Sequence, residues 1–145
     1  MQLDFMAYKN TTMQLYRRIL APTLQLHELT RMEMDVLLFL ANNPEYDTAR
    51  DLVEIRRLSK SHVSAAVDAL VQRQFLQRSQ LPGNKKLIHL RLTPAAQPAI
   101  RDGQAAQKEF MTRLLVDFTP QEERQLFSLL NRLNHNAQAA ADQLE

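Results

Sequence analysis

Apolar side chains recur through most of the chain at the three- and four-residue spacing of amphipathic α-helices. The first such stretch covers about residues 3–20 and is expected to end before Pro22, because the residue before a proline is disfavoured in the helical conformation. The second follows Thr30 and continues to about Asn42, and Thr30 with Glu33 can form a capping box at its start. The N-terminal part of the chain is therefore predicted to be helical.

A short helix and a longer one are predicted next. Thr48 can cap the short helix, which carries Leu52 and Ile55, and Ser59 or Ser61 can cap the longer helix. Five residues of the longer helix form an apolar stripe that must face a core: Val63, Ala66, Val67, Leu70 and Val71. The opposite face carries short or polar side chains, which leave the helix backbone approachable: Lys60, Ser61, Ser64, Ala65, Asp68 and Gln72.

After Arg73 the period of the apolar residues changes to two, which is typical of β-strands. Strands are predicted at residues 76–80 and 87–92. Pro82-Gly83 between them suits the central positions of a type II turn, because proline presets φ and glycine accepts a positive φ. The two strands therefore form a small hairpin.

Two further helices are predicted after the hairpin. Thr93-Pro94 provides a cap and a proline at the first helical position for a helix to about Val116. Thr119 and Glu122 form another capping box at the start of a C-terminal helix. The predicted fold is mainly α, with the element order α-α-α-α-β-β-α-α.

Length and composition restrict the class of protein. A chain of 145 residues, 45% of them hydrophobic, can form one compact domain, and with no cysteine it has no disulfide, thiolate nucleophile or thiol switch. Two glycines cannot build a Walker or dinucleotide-binding loop. The longest unbroken apolar run, residues 36–41, is too short to span a bilayer, so we expect a soluble, cytoplasmic protein.

The histidines give little support for catalysis or metal binding. The four histidines show no pairing at the four-residue spacing of a helical metal site, and the adjacent His27-Glu28 is the one weak alternative for a metal ligand. We therefore predict neither an enzyme nor a metal or other cofactor.

Positive charge is concentrated in one segment. Residues 50–91 contain nine basic and three acidic residues, whereas the rest of the chain contains nine basic and thirteen acidic ones. Local density of lysine and arginine determines affinity for a polyanion, so this segregation is what a nucleic-acid-binding segment would show. A well-solvated basic face would show it equally, and charge alone does not separate the two. A short helix, a helix with a basic, small-residue face and a two-stranded ribbon together predict a winged helix-turn-helix, whose second helix fits the DNA major groove.

The sequence resembles the multiple antibiotic resistance regulator (MarR) family of bacterial transcription factors. The resemblance rests on the joint order and spacing of LTRME at residues 29–33, DL at 51–52, LSKSHVS at 58–64, VDAL at 67–70, RQFLQRS at 73–79 and LRLT at 90–93. It implies a single domain over residues 1–145. Within it, residues 30–93 form the winged helix-turn-helix DNA-binding lobe, and residues 3–28 and 94–144 form dimerisation helices.

The resemblance also implies roles for individual residues on a double-stranded, pseudo-palindromic operator bound by a homodimer. Base-reading positions are Ser61, His62, Ser64 and Ala65. Positions that contact the DNA backbone are Arg56, Arg57, Ser59, Lys60, Arg73, Arg78, Lys85 and Lys86. A small aromatic or anionic effector is implied between the dimerisation helices and the lobe, with Arg17, Arg18 and His27 as the nearest cations. The expected function is transcriptional regulation, as a repressor released by that effector.

Three positions depart from the family pattern. Gln74 replaces the glycine that usually follows the recognition helix, so either Gln74 takes a left-handed conformation or the helix ends differently. The wing, SQLPGNKKL at residues 79–87, lacks the frequent Asp-Xaa-Arg, so insertion of an arginine into the minor groove is not carried over. Ala96 replaces a common glycine after Leu92-Thr93. The main alternative is a winged-helix module that docks an acidic protein instead of DNA.

Overall fold

The computed structural model describes residues 4–84 and 86–144. Its elements are listed in chain order as α1 (Phe5–His27), α2 (Arg31–Asn42), α3 (Ala49–Glu54), α4 (Lys60–Gln72), β1 (Leu76–Ser79), β2 (His89–Leu92), a 3-10 turn (Pro94–Ala96), α5 (Gln97–Leu114) and α6 (Pro120–Gln143). This order confirms the predicted mainly α, winged-helix architecture. The chain divides into two compact units, Met1–Phe110 and Met111–Glu145.

Helix α1 continues through Pro22, so the prediction that it ends before the proline is wrong. A proline in a helix removes one backbone hydrogen bond and crowds the preceding turn. Tertiary contacts outweigh that penalty here, since Leu20 is fully buried and Leu24 packs against the core on either side of Pro22. The helix ends at Glu28, whose left-handed conformation (φ 53°) allows its N–H to cap the last turn.

The core of the first unit is formed around α2 and the apolar stripe of α4. Met34 and Leu37 of α2 are fully buried, as is Leu70 of α4. Gly103 of α5 lies against α2 so closely that a Cβ atom there would be 2.7 Å from the Met34 Sδ and 3.0 Å from a methyl group of Leu38. The glycine that weakens α5 as an isolated helix therefore permits close packing of α5 on α2.

Helix α4 ends in a left-handed cap at Gln74, the position where the family has glycine. Gln74 has φ 64°, its N–H donates to the Val71 carbonyl, and the next N–H, of Phe75, donates to the Leu70 carbonyl at 2.9 Å. These two bonds define a Schellman motif. Of the two endings allowed by the sequence, the structure therefore adopts the left-handed one.

The wing is a two-stranded antiparallel hairpin with a third extended segment beside it. Leu76 pairs with Leu92 and Ser79 pairs with His89. Both strands are therefore shorter than predicted at the side of the turn, since the first ends at residue 79 and the second begins at residue 89. The turn has the expected form: Gly83 has φ 86°, and the Asn84 N–H donates to the Leu81 carbonyl. On the other edge, the Leu90 N–H donates to the Asp47 carbonyl at 2.7 Å.

Thr93 does not use its hydroxyl to cap the helix that follows. The hydroxyl donates to the Gln74 carbonyl at 2.6 Å, and residues 94–96 form a 3-10 turn before α5 begins. The prediction that Thr93 caps the following helix is therefore wrong. Its buried hydroxyl instead satisfies the Gln74 carbonyl, which the left-handed turn leaves without a helical partner. Helix α5 ends at Leu114, two residues before the predicted position.

The second unit contains the predicted capping box. The Thr119 hydroxyl accepts the Glu122 N–H, and the Glu122 carboxylate accepts the Thr119 N–H, at 3.1 and 2.9 Å. Several large apolar side chains of α6 are exposed: Phe127, Leu129, Leu130 and Leu133. No helix within the described part of the chain is both long and apolar enough to span a membrane.

Candidate nucleic-acid interface

The four predicted base-reading residues lie together on the exposed side of α4. Ser61, His62, Ser64 and Ala65 are all exposed, whereas Val63, Ala66, Val67 and Leu70 are buried. This division follows from the helical period, since the apolar stripe packs on α2 and α3 and leaves the small and polar residues outward. Side chains this short leave the N-terminal half of α4 free to approach a groove closely.

The N-terminus of α4 has no side-chain cap, which differs from the predicted capping by serine. Ser59 occupies the cap position, but its Oγ lies 3.2 Å from the Ser61 Oγ and accepts no backbone N–H of the helix. Two hydroxyls that bond to each other leave the first backbone N–H groups of α4 available to another acceptor. The positive end of the helix dipole therefore faces outward beside the predicted base-reading residues.

Cations surround this end of α4 on two sides. Arg56 and Arg57 are exposed in the turn between α3 and α4, and Arg57 is held at φ 60°. Lys60 and Lys86 line a cleft of about 480 Å³ between α3, α4 and the wing, with Ser64 in its wall. Lys85, which was predicted with them, lies outside the described residues.

Two of the predicted DNA-backbone cations have partners within the protein. The Arg73 guanidinium donates to the carbonyls of His27 and Glu28, at 2.8 and 2.7 Å, and lies 4.6 Å from the centre of the Phe75 ring. Arg73 therefore ties the end of α4 to the end of α1. Arg78 of β1 pairs with Asp68 of α4.

Comparison with known proteins agrees with this geometry. Residues 27–86, which include the helix-turn-helix and the first strand of the wing, match the model of the MarR family. The fold extends further: a MarR family transcriptional regulator from Listeria monocytogenes, solved with a 26mer DNA, has a TM-score of 0.80 and 18% identity over 94% of this chain and 89% of that one. The family match covers residues 27–86, and the structural likeness shows the same fold over nearly the whole chain.

Two other proteins resemble this chain over most of its length. The HTH-type transcriptional regulator YpoP of Bacillus subtilis (strain 168) is 25% identical over 108 residues, which are 74% of this chain and 75% of YpoP. The structure of BpsR of Bordetella bronchiseptica has a TM-score of 0.70 and 18% identity, over 88% of this chain and 96% of the BpsR chain. The DNA binding of BpsR is regulated by 6-hydroxynicotinic acid.

The three predicted effector cations do not form one site. Arg17 and Arg18 are exposed on the middle of α1, and His27 lies about 15 Å further along the helix at 1.5 Å per residue. His27 instead places its Nε2 2.7 Å from the Oδ2 of Asp102 on α5. No group of three or more histidine or acidic residues within the described ranges could hold a metal ion.

Sequence reasoning missed a polar cluster at the contact of α1 and α2. The Arg31 guanidinium lies 4.6 Å from the centre of the buried Tyr16 ring and donates to Asp35 at 3.0 Å. Burial raises the pKa of the Tyr16 hydroxyl, the Asp35 charge raises it further, and the charges of Arg31 and Arg56 oppose the rise. The spacing of Arg31 and Asp35 is an ordinary helical pair, so it did not indicate the tyrosine.

A histidine and an aspartate brace the base of the wing and were also missed. The His89 Nδ1 lies 2.9 Å from the Asp47 Oδ1, beside the backbone bridge between Thr48 and His89. The two residues are 42 positions apart in the chain, and no local pattern marks them as partners. They hold the wing against the segment that precedes α3.

Proposed function

We propose that this protein is a MarR-family regulator, which binds a specific, pseudo-palindromic site in double-stranded DNA as a homodimer and represses transcription from it in the cytoplasm. The observation that carries the proposal is the exposed, small-residue face of α4, with cations at its N-terminal end and in the cleft beside it. An α-helix with such a face fits the major groove, and the surrounding cations can contact phosphates on both sides of it.

Base reading is assigned to the exposed side chains of α4. The hydroxyls of Ser61 and Ser64 can donate to or accept from base edges, His62 can bond a base or pack on a sugar, and the Ala65 methyl can contact a thymine methyl. All four stand on the outward side of the helix within its first two turns. A partner that meets this face therefore meets all four together.

Phosphate contact is assigned to the residues that border this face. They are Arg56, Arg57, Ser59, Lys60 and Lys86, with Lys85 proposed on its sequence position alone. These residues would fix the register of the lobe on DNA, and the cations among them would supply most of its sequence-independent affinity. Arg73 and Arg78 remain predictions of the same kind, although each already has a partner within the protein.

Release by a small aromatic or anionic effector is part of the proposal. Its support is the family, together with the regulation named for BpsR and the exposed Arg17 and Arg18 of α1. By linkage, an effector that weakens DNA binding tenfold must bind the free protein tenfold more tightly than the complex, a coupling of about 1.4 kcal/mol. Calorimetric titration of both forms with salicylate and related aromatic acids tests this, and equal affinities for the two forms would contradict it.

DNA binding itself is tested with a genomic site selected by the protein and with a random-sequence duplex. We expect the affinity for both to fall with salt, with a slope of about −0.9 in log–log form for each phosphate contacted. Ser64→Glu should abolish preference for the selected site, because it places an unpaired charge against base edges. Ser128→Glu on α6 is the matched control and should retain the preference.

The opposite results would favour the alternative function. If the wild-type protein shows no salt-sensitive binding to either duplex, its basic face does not serve DNA. Docking of an acidic protein would then explain the cations. If Ser64→Glu keeps the wild-type preference for the selected site, α4 does not read the DNA bases.

A further inference from the structure

Arg78 stands among the cations proposed to meet DNA. It projects from β1 and lines the same cleft as Lys60, Ser64 and Lys86. A guanidinium in that position can contact a phosphate when DNA occupies the exposed side of α4. By position alone, Arg78 belongs to the proposed phosphate-binding set.

A carboxylate on the recognition helix already holds this guanidinium. Asp68 is the one acidic residue of α4, and it lies one helical turn beyond Ser64 on the same exposed side. It accepts a hydrogen bond from Nη2 of Arg78, while both side chains remain partly open to solvent, with 64% of the Asp68 side chain and 39% of the Arg78 side chain accessible. The pair therefore carries no net charge at the place where DNA would approach.

A neutralised arginine contributes little to loose binding of a polyanion. Sequence-independent affinity arises from counterions that each protein cation displaces from phosphates, and a cation with its own carboxylate displaces fewer. We infer that Asp68 holds Arg78 back from phosphates and thereby weakens binding to random DNA. Asp68 is then a specificity-determining residue, an inference that rests on the proposed DNA-binding function.

The first experiment removes the carboxylate without changing the size of the side chain. Asp68→Asn should bind a fluorescent random-sequence duplex more tightly than wild type, and its log–log salt slope should steepen by about 0.9 because one phosphate contact is gained. An exposed ion pair contributes little to folding, so the thermal unfolding midpoint should stay near that of wild type. Glu45→Gln, which removes an exposed acid from the loop between α2 and α3, is the charge-matched control and should keep the wild-type slope.

A double-mutant cycle shows whether Asp68 acts through Arg78. In an Arg78→Gln background, adding Asp68→Asn should leave the slope unchanged, because no guanidinium remains to be released. Asp68→Glu, which can keep the pair, should retain the wild-type slope. An equal steepening in both backgrounds would show that Asp68 acts by its own charge and would overturn the inference.

Two other outcomes also decide the matter. If Asp68→Asn weakens binding to every duplex and lowers the unfolding midpoint, the pair only braces the wing and the inference is wrong. Absence of salt-sensitive binding in the wild-type protein, by contrast, would reject the proposed function itself. The wild-type titration therefore separates failure of the function from failure of the Asp68 role.

Discussion

At the scale of single residues, Gln74 shows how one backbone conformation connects α4 to the wing. Its left-handed conformation reverses the chain after α4, and its carbonyl accepts the Thr93 hydroxyl at the end of β2. The left-handed conformation costs a residue with a Cβ atom about 1–2 kcal/mol. The side chain of Gln74 is exposed, so it makes no buried contacts that would offset this cost.

Replacing Gln74 with glycine should therefore stabilise the protein. Glycine removes the steric cost but loses more backbone entropy on folding, so we expect Gln74→Gly to raise the free energy of unfolding by about 0.5–1 kcal/mol. Urea denaturation measures the change. Gln72→Gly, placed within the helical part of α4, is the matched control and should lower stability by about 1 kcal/mol. Equal losses in both variants would mean that Gln74 is not left-handed in solution.

Arg73 shows that an arginine predicted to bind a ligand can instead form hydrogen bonds within the protein. The family resemblance implied phosphate contact for it, but its guanidinium reaches two carbonyls at the end of α1 and the face of Phe75. Those carbonyls lack partners of their own helix, and a guanidinium satisfies both at once. Charge in the sequence therefore indicates a cation without showing where it is used.

At the scale of elements, capping boxes set the starts of three helices. Thr30 with Glu33, Thr48 with Asp51, and Thr119 with Glu122 each form the reciprocal pair of hydrogen bonds. Each box needs only residues that are three positions apart, so it forms from local sequence. Helix α4 lacks such a box, which leaves its N-terminus open at the proposed interface.

The capping box of α6 makes the start of that helix sensitive to acid. The backbone N–H of Thr119, and then its hydroxyl, lower the pKa of Glu122 below its ordinary value. A lowered folded-state pKa contributes stability that is present above the unfolded pKa, near 4.5, and is lost as the pH falls through the folded value. We therefore expect the N-terminal turn of α6 to fray in that acidic range.

The pH dependence is measured by nuclear magnetic resonance titration of the Glu122 carboxyl group and of the amides at residues 119–123. Glu122→Gln should remove the acidic transition of these amides, because its amide oxygen accepts a hydrogen bond without titrating. Thr119→Ala should move the pKa of Glu122 back towards its ordinary value. A transition that persists in Glu122→Gln would assign it to another group.

At the scale of the whole molecule, the apolar residues of α6 indicate an interface. Phe127, Leu129, Leu130 and Leu133 are each between 40% and 54% exposed, and no residue of α6 is buried. Large exposed apolar surfaces are uncommon on soluble monomers and usually mark an interaction site. A two-fold homodimer, which presents the same surface from both copies, is the assembly we propose for it.

Charge placed on this surface should prevent the assembly. Light scattering at micromolar concentration is expected to give the mass of a dimer for the wild-type chain. The double variant Leu126→Asp and Leu130→Asp should instead give monomers or aggregates, because burying two carboxylates in an apolar interface is costly. Gln121→Asp with Gln125→Asp adds the same charge at exposed polar positions of α6 and should stay dimeric. A monodisperse wild-type monomer would contradict the proposal.

Much of the winged helix-turn-helix could be predicted because its signals are local. The stripe from Val63 to Val71, the alternation in the wing and the turn at Pro82-Gly83 each depend on residues a few positions apart. These patterns predicted which face of α4 is buried, and therefore which side chains are exposed for base reading. Their roles on DNA stay predictions.

The sequence by itself thus determined the order of the elements, the caps of α2, α3 and α6 and the two faces of α4, since each arises from neighbouring residues. Only the tertiary structure decided that α1 continues through Pro22, that His27 meets Asp102 and that Arg78 meets Asp68. These outcomes depend on packing between segments as much as 75 residues apart. A pattern confined to a few neighbouring residues cannot specify such partners, because their meeting is set by how the helices pack against the shared core.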